Sequence, residues 1–166
     1  GLLFLVLIWG VNAQAQDEKK ADRPSPPRTA SAVVNSGEVT IDYSTPAVKG
    51  RTVWGDLVPY DKIWRAGANE ATTITFQNDV TVGGNDIPAG KYSLFVIPTE
   101  KEWTVIINAV WDQWGSYNYD KSKDAARITV KPTKTKELVE RLEYDVTSSG
   151  KVTMKWEHKQ FSFDVE

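Results

Sequence analysis

KVTMKWEHKQFSFDVE, residues 151–166, alternates with a period of two. Val152, Met154 and Trp156 fall on one side, and Thr153, Lys155 and Glu157 on the other. Phe161, Phe163 and Val165 repeat the pattern beyond His158-Lys159-Gln160. Side chains two apart share one face of a strand, so the stretch predicts two amphipathic strands joined by a tight link. The same period runs back through the chain. Val39, Ile41 and Tyr43 alternate with Glu38, Thr40 and Asp42, and Ile74 and Phe76 with Thr73 and Thr75. Val80-Thr81-Val82 runs into Gly83-Gly84-Asn85-Asp86, a turn signal. Lys91–Ile97 is apolar on both parities in its second half, which predicts a central strand covered on both faces. Trp103, Val105 and Ile107 follow after Pro98–Lys101, a connection short enough for an antiparallel hairpin. Helical periodicity is confined to Thr135–Leu142, where Leu138, Val139 and Leu142 compete with the alternation of Leu142, Tyr144 and Val146. About nine short strands with Gly, Pro and Asn turns predict an all-β fold, an antiparallel β-sandwich or jelly roll with at most one short helix.

The chain of 166 residues is 40% hydrophobic and 25% charged, the balance of one soluble globular domain. Twenty Lys and Arg residues against 22 Asp and Glu leave a net charge of −2 without a block of either sign. That argues against a nucleic-acid partner, whose phosphates demand a basic face. The absence of cysteine excludes disulfides, thiolate chemistry and Cys-ligated metals, and the single histidine, His158, leaves little for zinc or copper. Asp79, Asp86, Asp112, Asp120 and Asp124 lack the spacing of a calcium loop. No metal or other cofactor is expected. Gly-x-Ser-x-Gly is absent, and a Ser-His pair would rest on His158, which reads as an exposed turn residue.

Residues 1–15, GLLFLVLIWGVNAQA, carry no charge and end in Ala13-Gln14-Ala15, small residues at the −3 and −1 positions of a cleavage site. The run reads as a signal peptide that the sequence enters part-way, since an apolar stretch of about eleven residues falls short of the roughly 20 needed to span a bilayer. The expected mature product is periplasmic or secreted and free of the membrane. Residues 16–27, QDEKKADRPSPP, are polar and proline-rich and are expected to be a flexible lead-in to one domain over 28–166.

The chemistry concentrates in residues 50–72, GRTVWGDLVPYDKIWRAGANEAT. Arg51, Trp54, Trp64, Arg65, Asn69 and Glu70 lie there between two predicted strands, and loops on a rigid β scaffold are where binding and catalytic groups collect. If alternation extends back from Ile74, Glu70 and Thr72 enter the edge of the buried face. A buried carboxylate must be paired, and Arg65 or Arg51 is the natural partner. The pair could be a structural clasp or part of a site. A second loop, AVWDQWGSYNYD at 109–120, offers Trp111, Trp114, Tyr117 and Tyr119 with Asp112 and Asp120. It reads either as a carbohydrate- or peptide-binding surface or as a lid over the sandwich. Trp103 and Trp156 sit at apolar strand parities and read as core. Of Trp54, Trp64, Trp111 and Trp114, at least one is expected to face solvent.

Four motifs in order carry a family likeness: GRTVWGDLVPYDKIWRAGANEAT at 50–72, PAGKYSLFVIP at 88–98, EWTVIIN at 102–108, and WGSYNYD followed by DAAR within 114–127. Together they resemble the bacterial domain of unknown function 2911 family, over nearly the whole mature chain. The resemblance implies an exported all-β protein of Bacteroidota-type bacteria and implies no activity. It carries over Arg51, Gly55, Trp64, Arg65, Gly67, Asn69, Glu70 and Thr72 as motif residues; Trp54 departs from the Phe of many relatives. The expectation is a ligand site formed by Arg51, Trp64, Arg65, Asn69, Glu70, Trp114 and Tyr119 for a carbohydrate or an envelope-derived small molecule. The alternatives are an envelope hydrolase or isomerase with Glu70 as the candidate catalytic acid or base, and an interaction protein in which the loop is a clasp.

Overall fold

The computed structural model describes residues 16–166, so the signal-peptide reading for residues 1–15 lies outside the described residues. A short helix at 16–21 leads to ten strands. These are β1 (Pro27–Val34), β2 (Gly37–Ser44), β3 (Thr73–Phe76), β4 (Val80–Val82), β5 (Asn85–Ile87), β6 (Gly90–Ile97), β7 (Trp103–Asn108), β8 (Asp124–Val130), β9 (Thr133–Val146) and β10 (Lys151–Asp164). Six of them form one sheet in the order β1-β2-β3-β6-β7-β8, antiparallel at each pairing. The long hairpin β9–β10 makes the second layer, and β4–β5 is a small separate hairpin. The all-β, sandwich-like expectation therefore holds, with ten strands and a 3-10 turn at Lys121–Lys123 besides the helix.

Alternation explains the layering. Val39, Ile41, Ile74, Phe76, Trp103, Val105 and Ile107 face the hairpin, whose Leu142, Tyr144, Met154, Trp156 and Phe161 complete one contiguous core. Strand β6 is fourth in the sheet and buried from Ser93 to Val96. Its Leu94 and Val96 join the main core, while Phe95 packs on the opposite face with Ala71 and Ile106 beneath Ile63, Ile97 and Tyr119. The two-sided apolar run thus marks a strand covered on both faces. The Gly83-Gly84 link closes β4 onto β5 with φ of 57° and 77°.

One sequence expectation gives way, and the competition between helix and strand at Thr135–Leu142 is decided for the strand. Residues 158–160 are not a hairpin link: β10 runs straight through them. Its inward set changes from even to odd positions because Glu157 adopts a left-handed φ of 57°, and the pairing with β9 shifts register on both sides of Glu157. A bulge re-aims the strand as a turn would, and a polar interval between two amphipathic runs is common to both. Thr135–Leu142 is likewise strand, not helix. Leu138 is 51% exposed, so the helical face had nothing to bury it, whereas Tyr144 and Val146 pair across to Met154 and Val152.

The register also aligns a row across the large sheet. Thr29, Asp42, Thr73, Ser93, Asn108 and Asp124 stand opposite one another in successive strands. This polar row lies on the face away from the hairpin, since the alternate positions Ile41 and Ile74 belong to the core.

Candidate functional site

The loop between β2 and β3 is held because β3 is short. Strand β3 pairs with β6 only over Gly90–Ser93, which leaves Leu94–Ile97 without a strand on that side. Buried backbone groups need partners, and the loop supplies them. The Trp64 amide donates to Val96 O (2.8 Å), the Val96 amide to Trp64 O (2.9 Å), and the Leu94 amide to Thr72 O (2.7 Å).

Beyond Trp64 the chain forms a tight knot. Ala66 and Asn69 there both adopt positive φ, as Lys49 and Asp61 do earlier in the loop, an uncommon conformation for residues other than glycine. Ala66 is held there by two hydroxyls, Thr72 Oγ1 and Tyr144 Oη, each donating to Ala66 O at 2.9 Å. The Trp64 indole donates to Gly67 O at 3.2 Å, and a side chain at Gly67 would meet Thr72 Oγ1 at 2.7 Å. Much of the WRAGANEAT motif is therefore explained by backbone satisfaction and close packing.

Glu70 is not where strand parity put it. The regular strand begins at Thr73, after the left-handed Asn69, and the Glu70 side chain is 45% exposed. Neither Arg51 nor Arg65 pairs with it. Arg51 donates from Nε to Val48 O and from Nη2 to Ala47 O, at the start of its own loop. Arg23 is the partner: its Nη1 donates to Glu70 Oε2 at 2.7 Å and to Oε1 at 3.0 Å. Burial raises the pKa of Glu70, but the Arg23 hydrogen bond, a backbone hydrogen bond and the charges of Arg23 and Lys20 outweigh it, so the carboxyl titrates below its ordinary 4.5. Asn69 Nδ2 donates to Ser25 O, and Arg141 Nη1 to Pro24 O. Residues 23–26 are thus a strap laid across the loop. The sequence hint for it was Pro24-Ser25-Pro26-Pro27, a stiff segment leading directly into β1.

The second loop lies over the outer face of the sheet. Its Tyr119 hydroxyl donates to Asp124 Oδ2 (2.6 Å) and accepts from Arg127 Nη2 (2.8 Å), while Asn108 Nδ2 donates to Asp124 Oδ1 (2.9 Å). Burial first, then the bond to Asp124, push the Tyr119 pKa up to about 12. Tyr119 is therefore a neutral phenol that packs edge-on against Phe95 and anchors the loop. The loops meet where Glu70 bridges Trp114 and where the Ala71 amide donates to Gln113 O. Trp111 and Trp114 face solvent, 43% and 52% exposed. Trp54 and Trp64 instead join Trp103 and Trp156 in an aromatic cluster.

Two neighbouring clefts result, with Asn69-Glu70 and the strap between them. One, of about 390 Å³, gathers Arg51, Trp64, Arg65 and Asn69. Arg65 Nε and Trp156 Nε1, both from its lining, are buried without a hydrogen-bond partner. The other, of about 340 Å³, is lined by Glu70, Arg23, Asp42, Thr73, Trp111 and Gln113, among others. Here Thr73 Oγ1 and Gln113 Oε1 are buried and unpartnered. Lys91 Nζ lies 4.4 Å from the Trp111 ring centroid, and the Arg23 guanidinium carbon 5.8 Å from that of Trp114. Seven candidate residues thus divide: four in the first cleft, Glu70 in the second, Trp114 beside Arg23, and Tyr119 in the loop anchor. Among the described residues, no three His, Asp or Glu side chains converge as a metal site.

A six-stranded antiparallel sheet backed by a long bulged hairpin, with two long loops folded over it, defines a β-sandwich class of protein with loop-built clefts. Within that class, the chain belongs to the family described as protein of unknown function (DUF2911), which it matches over residues 25–165. No curated protein and no solved structure matches it.

Proposed function

We propose that the protein is an exported binding protein for a saccharide-like polar ligand, a carbohydrate or a cell-envelope fragment, held in the cleft between Glu70 and Trp111. The observation that carries the reading is the pair of unpartnered buried atoms, Thr73 Oγ1 and Gln113 Oε1, in a cleft flanked by an exposed indole. Such groups are costly to leave unsatisfied, and a ligand hydroxyl can both donate and accept. Indole faces suit sugar C–H faces, and Asp42 and Glu70 supply acceptors. The charge-free opening ending in Ala13-Gln14-Ala15 supports export to the periplasm or beyond.

Glu70 suits binding better than acid catalysis. Its carboxylate is held ionised by Arg23, so it accepts hydrogen bonds and has no proton to give a leaving group. The clasp reading is favoured by the Arg23–Glu70 pair itself, which ties the strap to the loop. The two readings separate on Thr73→Val. Removing a hydroxyl that has no partner is expected to leave the melting temperature unchanged or slightly raised, and to weaken saccharide binding about tenfold. Calorimetric titration with neutral oligosaccharides and peptidoglycan-derived disaccharides measures it. No heat from any of these probes, or equal affinity in the variant, would sink the binding reading.

The ion pair has its own pH signature. Because the folded-state pKa of Glu70 is lowered, its ionised form adds stability that is fully present above the ordinary value and is lost as pH falls through the lowered one. Solvent screens a carboxylate 45% exposed, so the contribution is about 0.5 kcal/mol. Glu70→Gln is expected to cost that much at neutral pH and progressively less as pH falls below the ordinary carboxylate range, read by urea unfolding. A cost that does not change with pH would show that the charge is not the cause.

A further inference from the structure

A third cleft, of about 550 Å³, opens where the bulge of β10 meets the start of β9 and the loop around Arg51. Its lining brings together Arg51, Trp54, Lys134, Glu157, His158 and Lys159. The placement of the two lysines is unusual. Lys134 and Lys159 are directly opposite in the β9–β10 register, so they share one face of the hairpin. Like charges so placed repel, and native sheets normally set an opposite charge there.

The one carboxylate in the cleft does not relieve them. Glu157 Oε2 accepts from the Trp54 indole N–H (3.1 Å) and from the backbone amide of His158 (2.6 Å), and Glu157 forms no ion pair among the described residues. The left-handed φ of 57° at Glu157 is what turns the side chains of 157–159 here. Arg51 is fixed through Nε and Nη2 by the carbonyls of Val48 and Ala47, and its remaining N–H groups have no hydrogen-bond partner among the described residues. Three cations against one engaged carboxylate leave the cleft positive, in a chain whose net charge is −2.

We infer that this cleft binds a compact dianion of the phosphate-monoester class. Its volume is that of a small-molecule site. Two ammonium groups and a pre-oriented guanidinium suit the several oxygens of a tetrahedral dianion, and half-buried Trp54 provides an apolar wall for the organic part. The negative overall charge and the absence of any long basic stripe speak against an extended polyanion. The inference stands apart from the saccharide reading, since none of its residues lines the Glu70 cleft.

The test is a titration of the full chain with inorganic phosphate and with glycerol 3-phosphate, against sodium chloride at matched ionic strength. It is followed by the Trp54 indole N–H resonance and by melting temperature. Saturable shifts with both phosphates and not with chloride are expected. Lys134→Gln and Lys159→Gln should each weaken binding about tenfold, while leaving the melting temperature without phosphate unchanged or higher because the repulsion is gone. A response no larger than that to chloride, or one unaffected by either substitution, would overturn the inference. So would a fall in phosphate-free stability in both variants, which would make the lysines structural.

Discussion

Replacing Trp156 by alanine is expected to lower the unfolding free energy by about 3–5 kcal/mol. Trp156 is 1% exposed, and its ring lies 5.7 Å from that of Trp54 and 5.9 Å from that of Trp64, nearly parallel to the latter at 20°. Deleting the indole removes the shared support of two residues that hold different clefts. Trp54 carries the bond to Glu157, and Trp64 the rung to Val96 and the bond to Gly67 O. Neither neighbour can collapse into the void without giving up one of these, so relaxation is limited and the cost lies toward the upper end. Against a total stability of about 5–15 kcal/mol the loss is large. Trp156→Phe separates packing from polarity. It deletes an N–H that has no partner, so it should cost only about 1–2 kcal/mol. Guanidinium unfolding of both variants measures this, and an alanine cost under about 1.5 kcal/mol would contradict the support role.

Gly150→Ala is expected to be nearly as severe, about 3 kcal/mol or more, a fall in melting temperature of about 10 °C. Gly150 closes the turn between β9 and β10 with φ of 88°, and its amide donates to Thr147 O at 2.9 Å. A β-carbon there would stand 2.0 Å from Val165 O, a backbone atom that cannot rotate away. Val165 is fixed because its amide donates to Gly150 O at 2.8 Å and because it bridges to Val82. Relief of the collision must break the rung that joins the hairpin turn to the last residues. Gly84→Ala is the control: its φ is 77° and a β-carbon would meet nothing within 4 Å. It should cost only the backbone strain, about 1–2 kcal/mol. Equal losses in the two variants would show that the contact with Val165 O is not the cause.

What the sequence revealed follows from which interactions are local. Alternation located the core strands, because Val39, Ile41, Ile74 and Met154 report the face they occupy directly. It also separated Trp103 and Trp156, at regular inward positions and fully buried, from Trp111 and Trp114 in a loop and exposed. Alternation cannot say whether an interval between two amphipathic runs turns the chain or only bulges it, so His158-Lys159-Gln160 reads as a hairpin link where the strand in fact runs on. Parity also carries no information beyond the end of a regular strand. The extrapolation from Ile74 back to Glu70 fails because β3 begins only at Thr73, and Glu70 bridges Trp114 of the second loop instead. The partner of Glu70 was out of reach in another way. Arg23 sits 47 positions away, in a segment too polar to bury a surface of its own, and is ordered by what it touches.

The tethering of residues 45–49 has a kinetic consequence. Ala47 bridges Arg141, the Leu142 amide donates to Pro46 O and the Val48 amide to Glu140 O, while the Lys49 amide reaches Glu140 Oε1. The entry to the cleft-bearing loop is therefore gripped by a strand that comes roughly ninety positions later in the chain. Pairings this distant form late, after the entropy of closing a long loop has been overcome. A chain emerging amino end first can tie Trp64 to Val96 and Glu70 to Arg23 and Trp114, but it leaves the Arg51 end of the loop untethered until β9 is made and docked. The cleft that holds Arg51, Lys134 and Lys159 is thus completed only when the last hairpin closes on the sheet, and a product truncated before β9 would lack it while keeping every residue that lines the Glu70 cleft.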